Sequence, residues 1–488
     1  MVEAWQSSRQ AGRRQIANGA RKLPPLRIPC IGHHRDMDGN SNSVPVISRV
    51  LADGTLIETV FDPVQGTTAL AIAAPDAAPI IAPDHVLPSG LRLIPYAPDN
   101  NLLLHDCVLL PSAIGDAGSK EQLVADITSY LHRYVDLTPE FEAIAAHYVL
   151  LSWVYDAFNE LPYLRFQGDF GTGKTRALLT IGSICYKPFF ASGASTVSPI
   201  FHILDAFGGT LVLDEADFRF SDATADIAKI LNNGNVRGLP VLRTMANRHK
   251  ELNPRAFRVF GPKLIGMRER FSDTALESRF LSEKTGTRPL RSDIPLHLPG
   301  AQAAEAQCLR NRLLAWRFAA RREVRIDPGC RMGGVSARLN QVAMPLLSLV
   351  DDPGARAMLA NWLVVDARTE SSGNVPRSER AVVSAMRDAF ADLSVPYVTI
   401  DDIARRTNAA LADFQLPLSN KSVGAIVRRL GVATTKSRGI YVVGQDARER
   451  VDALVERFAL STLSTTDADA IAHSIGNLPP ATSEPSLE

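Results

Sequence analysis

A glycine-rich segment between a predicted strand, Tyr163–Gln167, and a predicted helix, Thr175–Ile184, constrains this chain most. The segment fits the pattern G-x-x-x-x-G-K-[ST] at every required position, in the strand-to-helix context that the pattern needs. Glycines let backbone N–H groups turn inward around phosphate oxygens, and a helix start adds partial positive charge. We therefore predict a nucleotide-phosphate site made of Gly168, Asp169, Phe170, Gly171, Thr172, Gly173, Lys174 and Thr175.

Chemistry at such a site needs two side chains of the loop and an acid from elsewhere. Lys174 is expected to reach the β- and γ-phosphates, and the Thr175 hydroxyl to ligate Mg²⁺. The apolar run Leu211–Leu213 ends in Asp214 and Glu215. Asp214 is expected to hold Mg²⁺ through water, and Glu215 to orient the attacking water. The second acid favours hydrolysis of ATP over storage of the nucleotide.

Composition excludes several classes of protein. With 488 residues, two to four domains are expected. The formal net charge of +1 gives no global field toward nucleic acid or membrane, so any basic surface must be local. The five cysteines are scattered without a C-x-x-C pair, which predicts reduced thiols in a cytoplasmic protein. No apolar stretch is long enough to predict a membrane span.

The pattern along the chain predicts an α/β fold. Strands alternate with helices from Tyr163 to Met267, which implies a parallel sheet covered on both faces. A polar stretch, Thr369–Pro376, is predicted to be a linker. The expected domains are a disordered basic tail (1–42), a β-rich domain (43–117), a helical linker (118–160), the ATPase core (161–300), a helical lid (301–370), a compact unit (376–446), and a terminal helix with a polar tail (447–488).

The order of P-loop, Asp-Glu strand, later strand, arginine and helical region resembles AAA+ ATPases. The stretches LNNGNVRGLPVLRT, FGPKLIG and ALESRF resemble P-loop ATPases and helicases of phages, plasmids and integrated elements, and are similar to MCM-like self-loading helicases. The resemblance covers roughly residues 163–350. It implies an AAA+ core with a helical lid, and a homo-oligomeric ring, most simply a hexamer, with ATP bound between subunits.

Several residue roles follow from this resemblance alone. It implies that Arg279 is an arginine finger for a neighbour's γ-phosphate and that Arg338 is the lid arginine; an ordinary salt-bridge arginine is the alternative for Arg279. Arg268 occupies the place where such families often have Asn or Thr, so the nucleotide-sensing geometry departs from their pattern. Arg248 and Lys250 would contact DNA from a pore hairpin, with an ordinary solvated turn as the alternative.

The C-terminal unit has the element order of a winged helix: helix, strand, helix, helix, hairpin. Its candidate recognition helix, Lys421–Leu430, has Ser419 as a plausible N-cap and carries no acid. Basic and polar residues concentrate on this helix and on the wing, which favours DNA over a protein partner, although winged helices also bind proteins. The candidate DNA contacts are Asn420, Lys421, Ser422, Arg428, Arg429, Lys436 and Arg438.

The sequence thus predicts an ATP-dependent DNA motor with Mg²⁺, most economically a replicative helicase of a mobile element. Two alternatives remain open. One is a regulator in which the ATP state switches DNA binding by the winged helix, and it predicts slow turnover without strand separation. The other is a remodelling or defence ATPase that acts on protein, and it predicts hydrolysis indifferent to DNA.

Overall fold

The computed structural model describes most of the chain from Asn42 to Arg457. The described ranges are 42–193, 195–214, 222–246, 252–271, 273–333, 335–374, 377–391, 396–411, 417–437 and 439–457. Four predicted site residues, Glu215, Arg248, Lys250 and Arg438, lie outside them, as do the predicted N-terminal tail up to residue 41 and the polar C-terminal tail. The chain divides into two compact units, residues 1–363 and 364–488.

The first unit opens with two small sheets. An antiparallel sheet has the order β2-β3-β4-β5, and a second sheet has the order β1-β7-β6, with β1 parallel to β7. Leu56, Ile57, Leu70 and Leu93 are buried at their centre. The strands are β1 (Ser43–Val46), β2 (Ser48–Val50), β3 (Leu56–Asp62), β4 (Thr67–Ala73), β5 (Ile80–Ala82), β6 (His85–Val86) and β7 (Arg92–Pro95).

Helices then lead to the main sheet. They are α1 (Asn101–Leu104), α2 (Lys120–Tyr134) and α3 (Pro139–Val154), followed by a 3-10 turn, Tyr155–Ala157. The Ser119 hydroxyl caps α2 by accepting from the Gln122 N–H at 3.1 Å. Helix α3 is apolar on nearly all sides and almost wholly buried, because it packs between the main sheet and other helices.

A five-stranded parallel sheet with the order β14-β8-β13-β10-β9 forms the centre of the first unit. This confirms the α/β class. Four of its five strands, β8, β10, β13 and β14, are buried at nearly every position, because the sheet is covered on both faces. The elements in chain order are β8 (Tyr163–Gln167), α4 (Lys174–Gly182), β9 (Phe189–Ser192), α5 (Val197–Phe207), β10 (Leu211–Asp214), α6 (Asp222–Asn233), β11 (Val241–Ala246), β12 (Leu252–Phe257), β13 (Lys263–Met267), α7 (Thr274–Glu277) and β14 (Phe280–Lys284).

The alternation of strands and helices from Tyr163 to Met267 implied that every strand in this range belongs to the parallel sheet, but β11 does not. Strand β11 pairs antiparallel with β12 in a two-stranded hairpin outside the parallel sheet. Strand β12 ends at Phe257, and β13, which does belong to the parallel sheet, begins at Lys263. Two neighbouring strands joined by a short turn pair locally, while parallel pairing needs a long crossover.

Three helices complete the first unit and lead into the second: α8 (Gly300–Ala320), α9 (Ala337–Leu347) and α10 (Pro353–Asn374), with a 3-10 turn at Pro328–Cys330. The predicted linker over 369–376 is wrong in its first part, because α10 continues through Asn374. Polar composition alone does not end a helix. The sequence signal for the end of a helix here is Pro376, because a proline disfavours helical backbone at the residue before it, Val375.

The second unit has its own core, with Val382, Met386, Ile403 and Val427 fully buried. Its three-stranded antiparallel sheet has the order β15-β17-β16. Its elements are α11 (Arg377–Ala389), β15 (Tyr397–Thr399), α12 (Ile400–Leu411), α13 (Asn420–Arg429), β16 (Thr435–Ser437), β17 (Ile440–Gly444) and α14 (Arg448–Arg457), with a 3-10 turn at Gln445–Ala447.

The predicted cap of α13 is present: the Ser419 hydroxyl accepts from the Ser422 N–H at 3.2 Å. The helix before it, α12, has Thr399 in the equivalent place, where the Thr399 hydroxyl accepts from the Asp402 N–H at 3.0 Å.

Candidate nucleotide-binding site

The P-loop connects the carboxyl end of β8 to the start of α4. Gly171 and Gly173 have φ of 74° and 92°, a backbone conformation that favours glycine. These turns let the loop fold over the amino end of α4, where N–H groups without helical partners face outward. Two of the motif's glycines thus lie where the loop backbone requires residues without a Cβ atom.

Gly168 lies against a segment that follows β14. A Cβ atom on Gly168 would lie 2.5 Å from the Thr285 Oγ1 and 2.6 Å from the Thr285 carbonyl oxygen. The Thr285 and Thr172 hydroxyls are 2.8 Å apart, and the Thr172 hydroxyl donates to the Asp169 carbonyl at 2.8 Å. Thr285 thus supports the loop from outside the motif.

The Thr175 hydroxyl and the Asp214 carboxylate meet at the carboxyl edge of the sheet. Thr175 Oγ1 donates to Asp214 Oδ2 at 2.6 Å. On the neighbouring β13, a Cβ at Gly266 would lie 2.8 Å from Asp214 Oδ1, so glycine there leaves room for the carboxylate. A hydroxyl and a carboxylate oxygen are the hard donors that Mg²⁺ prefers. The pair fits Mg²⁺, which would neutralise phosphate charge when bound.

The Lys174 ammonium lies on the loop itself. Its Nζ donates to the carbonyls of Gly168 at 2.6 Å and Asp169 at 2.5 Å. The ammonium therefore lies against the loop backbone, and the predicted contact with phosphate would require it to exchange these carbonyls for phosphate oxygens.

Arg268 lies at the same edge. It follows β13, whose Met267 pairs with Gln167 at the end of β8. The Gln167 side chain donates to the Arg268 carbonyl at 3.2 Å, and the Arg268 guanidinium lies 4.2 Å from the centre of the Phe170 ring. The structure therefore brings two predicted nucleotide-binding residues, Arg268 and Phe170, into contact.

Two supporting residues were missed by sequence reasoning. Arg176, one residue beyond the motif, donates to the carbonyls of Pro295 and Leu296, both at 2.6 Å. The segment from Thr285 to Leu296 therefore contacts this part of the chain at both of its ends: Thr285 at Thr172 in the loop, and Pro295 and Leu296 at Arg176 in α4. The position of Arg176 next to the motif was the only signal available, since its partners are more than a hundred residues away.

Arg279 lies at the opposite edge of the sheet from the P-loop. The Tyr163 N–H at the start of β8 donates to the Arg279 carbonyl at 2.9 Å, whereas the P-loop follows the other end of β8. Burial, and then the charge of Arg338, lower the pKa of Arg279, which places the two guanidinium groups within electrostatic range. Neither side chain joins the P-loop cluster of its own chain.

An arginine finger has to reach the phosphate of a neighbouring subunit, whereas Arg279 is buried and hydrogen-bonded within its own chain. Its side chain is 7% exposed, and it donates to Asn235 Oδ1 at 2.9 Å, Asn232 Oδ1 at 2.7 Å and the Ala275 carbonyl at 2.7 Å. The turn after α7 folds it onto the end of α6. The finger role stays a prediction, and it requires some of these bonds to be exchanged for a phosphate.

A buried ion pair fixes the backbone around Arg279. Arg165, fully buried on β8, donates to both Glu277 oxygens at 2.6 and 2.7 Å and to the Ser282 hydroxyl. Glu277 Oε1 also accepts from the Phe271 N–H at 2.7 Å. The strand that carries the P-loop is thereby tied to the turn that carries Arg279.

The described candidate DNA residues lie on α13 and β16 of the second unit. Lys421, Ser422, Arg428, Arg429 and Lys436 are exposed, while the face of α13 with Val423 and Val427 is buried. Asn420 donates to Asp401 Oδ1 at 2.8 Å, and Arg429 forms an ion pair with Glu379. Lys421, Arg428 and Lys436 therefore form the open part of this basic surface.

Comparisons with known proteins give weak similarities only. No protein-family model matches the chain, and no curated protein sequence matches it. Among solved structures, the apo C-terminal region of NrS-1 has a TM-score of 0.34 at 11% identity, covering 80% of this chain and 96% of that chain. SCCmec type IV Cch, described as an active helicase, has 0.30 at 12%, covering 84% and 95%. The Aeropyrum pernix ORC1 protein in complex with DNA has 0.20 at 14%, covering 66% and 94%.

At these scores the similarities carry no argument about the activity of this chain. In the part of the chain that the structure describes, no helix is both long and apolar enough to cross a membrane.

Proposed function

We propose that this chain is an Mg²⁺-dependent ATPase of the AAA+ kind that acts on DNA. The observation that carries the proposal is the contact between Thr175 Oγ1 and Asp214 Oδ2 at 2.6 Å, with Lys174 against the backbone of the same loop. Side chains 39 positions apart thereby form one phosphate and metal site. Glu215, next to Asp214 in sequence, is the proposed residue that orients the attacking water.

The proposed activity is unwinding or translocation of DNA, coupled to ATP hydrolysis by a ring of identical subunits. The proposed role is that of a replicative helicase of a mobile element. Arg279 supports this part by its place, because it lies at the sheet edge away from its own P-loop, and the charge of Arg338 acts on it. A neighbouring subunit could present its phosphates to that edge, which requires a closed head-to-tail ring. The ring, its hexameric size and the cytoplasmic location are proposals.

The second unit is proposed to be a winged helix that contacts the DNA backbone. Its support is the open basic surface of Lys421, Arg428 and Lys436 on a unit with its own core. Removing one side chain that binds a phosphate should lower the slope of log affinity against log salt by about one. Replacing Lys421 and Arg428 by Ala is therefore expected to weaken DNA binding and flatten its salt dependence, whereas Arg405→Ala on α12, where Arg405 pairs with Asp402, is the control.

Steady-state ATP hydrolysis tests the proposal, measured without DNA, with single-stranded DNA and with duplex DNA, beside Lys174→Ala. We expect hydrolysis that requires Mg²⁺, rises with DNA and is lost in the Lys174 variant. Hydrolysis that no DNA changes would contradict action on DNA and favour a protein substrate. Wild-type turnover equal to that of Lys174→Ala would contradict the ATPase itself.

A regulator whose DNA binding is switched by ATP is the second candidate. The independent core of the second unit favours it, because a unit that folds by itself can bind DNA without the motor. This candidate predicts sequence-specific duplex binding that changes with nucleotide, slow turnover and no strand separation.

A further inference from the structure

The P-loop carries an aromatic side chain at a position where the motif requires no particular residue. Phe170 is 77% exposed, which is unusual for a ring of this size in a folded protein. One face of the ring is covered by the Arg268 guanidinium at 4.2 Å from its centre. A cation above an aromatic face is attracted to its negative π surface, so the ring restricts where the guanidinium lies.

Arg268 lies where a cation could act on the terminal phosphate. Its backbone is tied to the loop strand by the bond from the Gln167 side chain, and the Gly168 N–H donates to the Met267 carbonyl at 3.3 Å. One strand further along, Asp214 is level with the end of β13. Arg268 therefore belongs to the same edge as Lys174, Thr175 and Asp214.

An arginine side chain has several rotatable bonds, and holding it in one geometry costs conformational entropy. A surface that fixes the guanidinium beforehand lowers this cost at the moment of reaction, when charge builds on the phosphoryl oxygens. The Phe170 ring is such a surface, and it moves with the phosphate-binding loop. The position of the Arg268 guanidinium is thereby fixed relative to the loop.

We propose that Phe170 is a positioning residue for hydrolysis, which acts by stacking on Arg268 and holding its guanidinium at the γ-phosphate end of the P-loop. This inference rests on the proposed ATPase function and assigns a role to a residue that the motif leaves free. It predicts that Phe170 matters for turnover of the triphosphate and not for binding of the diphosphate, which lacks the group that Arg268 would contact.

The test is a double-mutant cycle on ATP turnover, with ADP affinity measured alongside. The variants are Phe170→Leu, Arg268→Ala and the double variant; Phe170→Tyr keeps the ring. A cation–π contact at an exposed site corresponds to a factor of about two to five. We expect kcat of Phe170→Leu to fall by about that factor, with ADP affinity unchanged and Phe170→Tyr near wild type.

In the Arg268→Ala background, Phe170→Leu should have no further effect on kcat, because the group it positions is gone. A loss of the same size in both backgrounds, or an equal loss of ADP affinity, would overturn the inference and make Phe170 a part of the loop fold only. Phe260→Leu removes a comparable stack, that of Arg237 at 5.0 Å from the ring centre, and is the matched control with unchanged turnover.

Failure of the two proposals can be told apart. Wild-type turnover no greater than that of Lys174→Ala would overturn the ATPase function and this inference with it. Turnover well above that control, combined with additive effects of the two substitutions, would leave the ATPase standing and reject the positioning role of Phe170.

Discussion

Gly168 shows how much one absent side chain matters in this site. A Cβ there would lie within 2.6 Å of two atoms of Thr285, one of them a backbone oxygen that cannot rotate away. Overpacking of this kind costs about 1–3 kcal/mol, and 1.4 kcal/mol is about a factor of ten in affinity. We expect Gly168→Ala to weaken binding of a fluorescent ATP analogue by about tenfold.

Gly300 at the start of α8 is the matched control, since a Cβ there meets nothing within 4 Å. Gly300→Ala should leave the affinity unchanged. Equal affinities of both variants and the wild type would show that the contact between Gly168 and Thr285 is not needed for nucleotide binding.

Lys263, at the start of β13, is fully buried, and its side-chain amine donates hydrogen bonds to backbone carbonyls and to no carboxylate among the described residues. Its Nζ donates to the carbonyls of Val259 and Gly261 at 2.9 Å and of Gly234 at 3.3 Å. Burial lowers the pKa of Lys263 to about 7, from 10.5. Between these values the unfolded chain binds the proton more readily, so this residue makes stability rise with pH from about 7 to about 10.

The Lys263→Met variant isolates this effect. Its free energy of unfolding in urea should depend less on pH between 7 and 9 than that of the wild type, by up to about 1.4 kcal/mol per pH unit. Methionine has similar length and no charge, although its loss of hydrogen bonds lowers stability at every pH. Parallel pH profiles of the two proteins would contradict the shifted pKa.

Residues that belong to a local sequence pattern were the predictable part of the site. Lys174 and Thr175 follow from the motif, and Asp214 from an apolar run that ends in acid. Thr285 was not predictable, because its contact with Gly168 depends on β14 lying beside β8, a pairing between strands 117 positions apart in register. The burial of Arg279 was not predictable either, because it depends on Asn232 and Asn235, which lie at and just beyond the end of α6 and are distant in sequence.

At the scale of elements, the ion pair of Arg165 and Glu277 joins β8 to α7 in the interior. Both side chains are almost completely buried, at 0% and 3% exposure. Removing one charge leaves the other unpaired in a low-dielectric environment, which costs about 3–5 kcal/mol. We expect Glu277→Gln to lower the free energy of unfolding by about that amount, measured by urea titration at constant m-value.

Asp84→Asn is the control for the Glu277 substitution. It removes the partner of Arg92 in a solvent-accessible pair at 3.2 Å, and such pairs contribute about 0–1 kcal/mol. Similar losses in the two variants would mean that burial does not set the strength of the Arg165 pair.

The order of the strands was beyond sequence reasoning, although their existence was not. Both ends of β8 match the prediction to the residue, because a proline precedes the strand and the glycine-rich loop follows it. The antiparallel pairing of β11 with β12 agrees with the hairpin that the resemblance implied for Arg248 and Lys250, whereas composition alone did not exclude β11 from the parallel sheet. Periodicity indicates which face a segment buries and not which strand lies beside it.

At the scale of the whole molecule, the second unit has a core of its own, so its folding should not need the first. We expect a fragment of residues 376–457 to unfold cooperatively on heating, followed by circular dichroism. The same fragment with Val427→Asp should not fold, because Val427 is fully buried and a carboxylate there has no described partner. A non-cooperative transition in the unsubstituted fragment would show that this core is incomplete.

The sheet β2-β3-β4-β5 is joined by buried charged groups to helices that flank the five-stranded sheet. Glu58 on β3 accepts from Arg317 Nε on α8 at 2.8 Å and from the Tyr186 hydroxyl at 2.7 Å. Arg317 also pairs with Asp156 at 2.8 Å, and all these groups are buried or nearly so. A charge network of this kind, once broken, leaves uncompensated charge on both sides.

Tyr186 comes shortly after α4, the helix whose first turn would hold the phosphates. The sheet β2-β3-β4-β5 is therefore connected, through one hydroxyl and one carboxylate, to the far end of the element that a nucleotide would pull on. If α4 rotates when a nucleotide binds, the hydrogen bond between Tyr186 and Glu58 connects that rotation to β3, and through β3 to the sheet β2-β3-β4-β5.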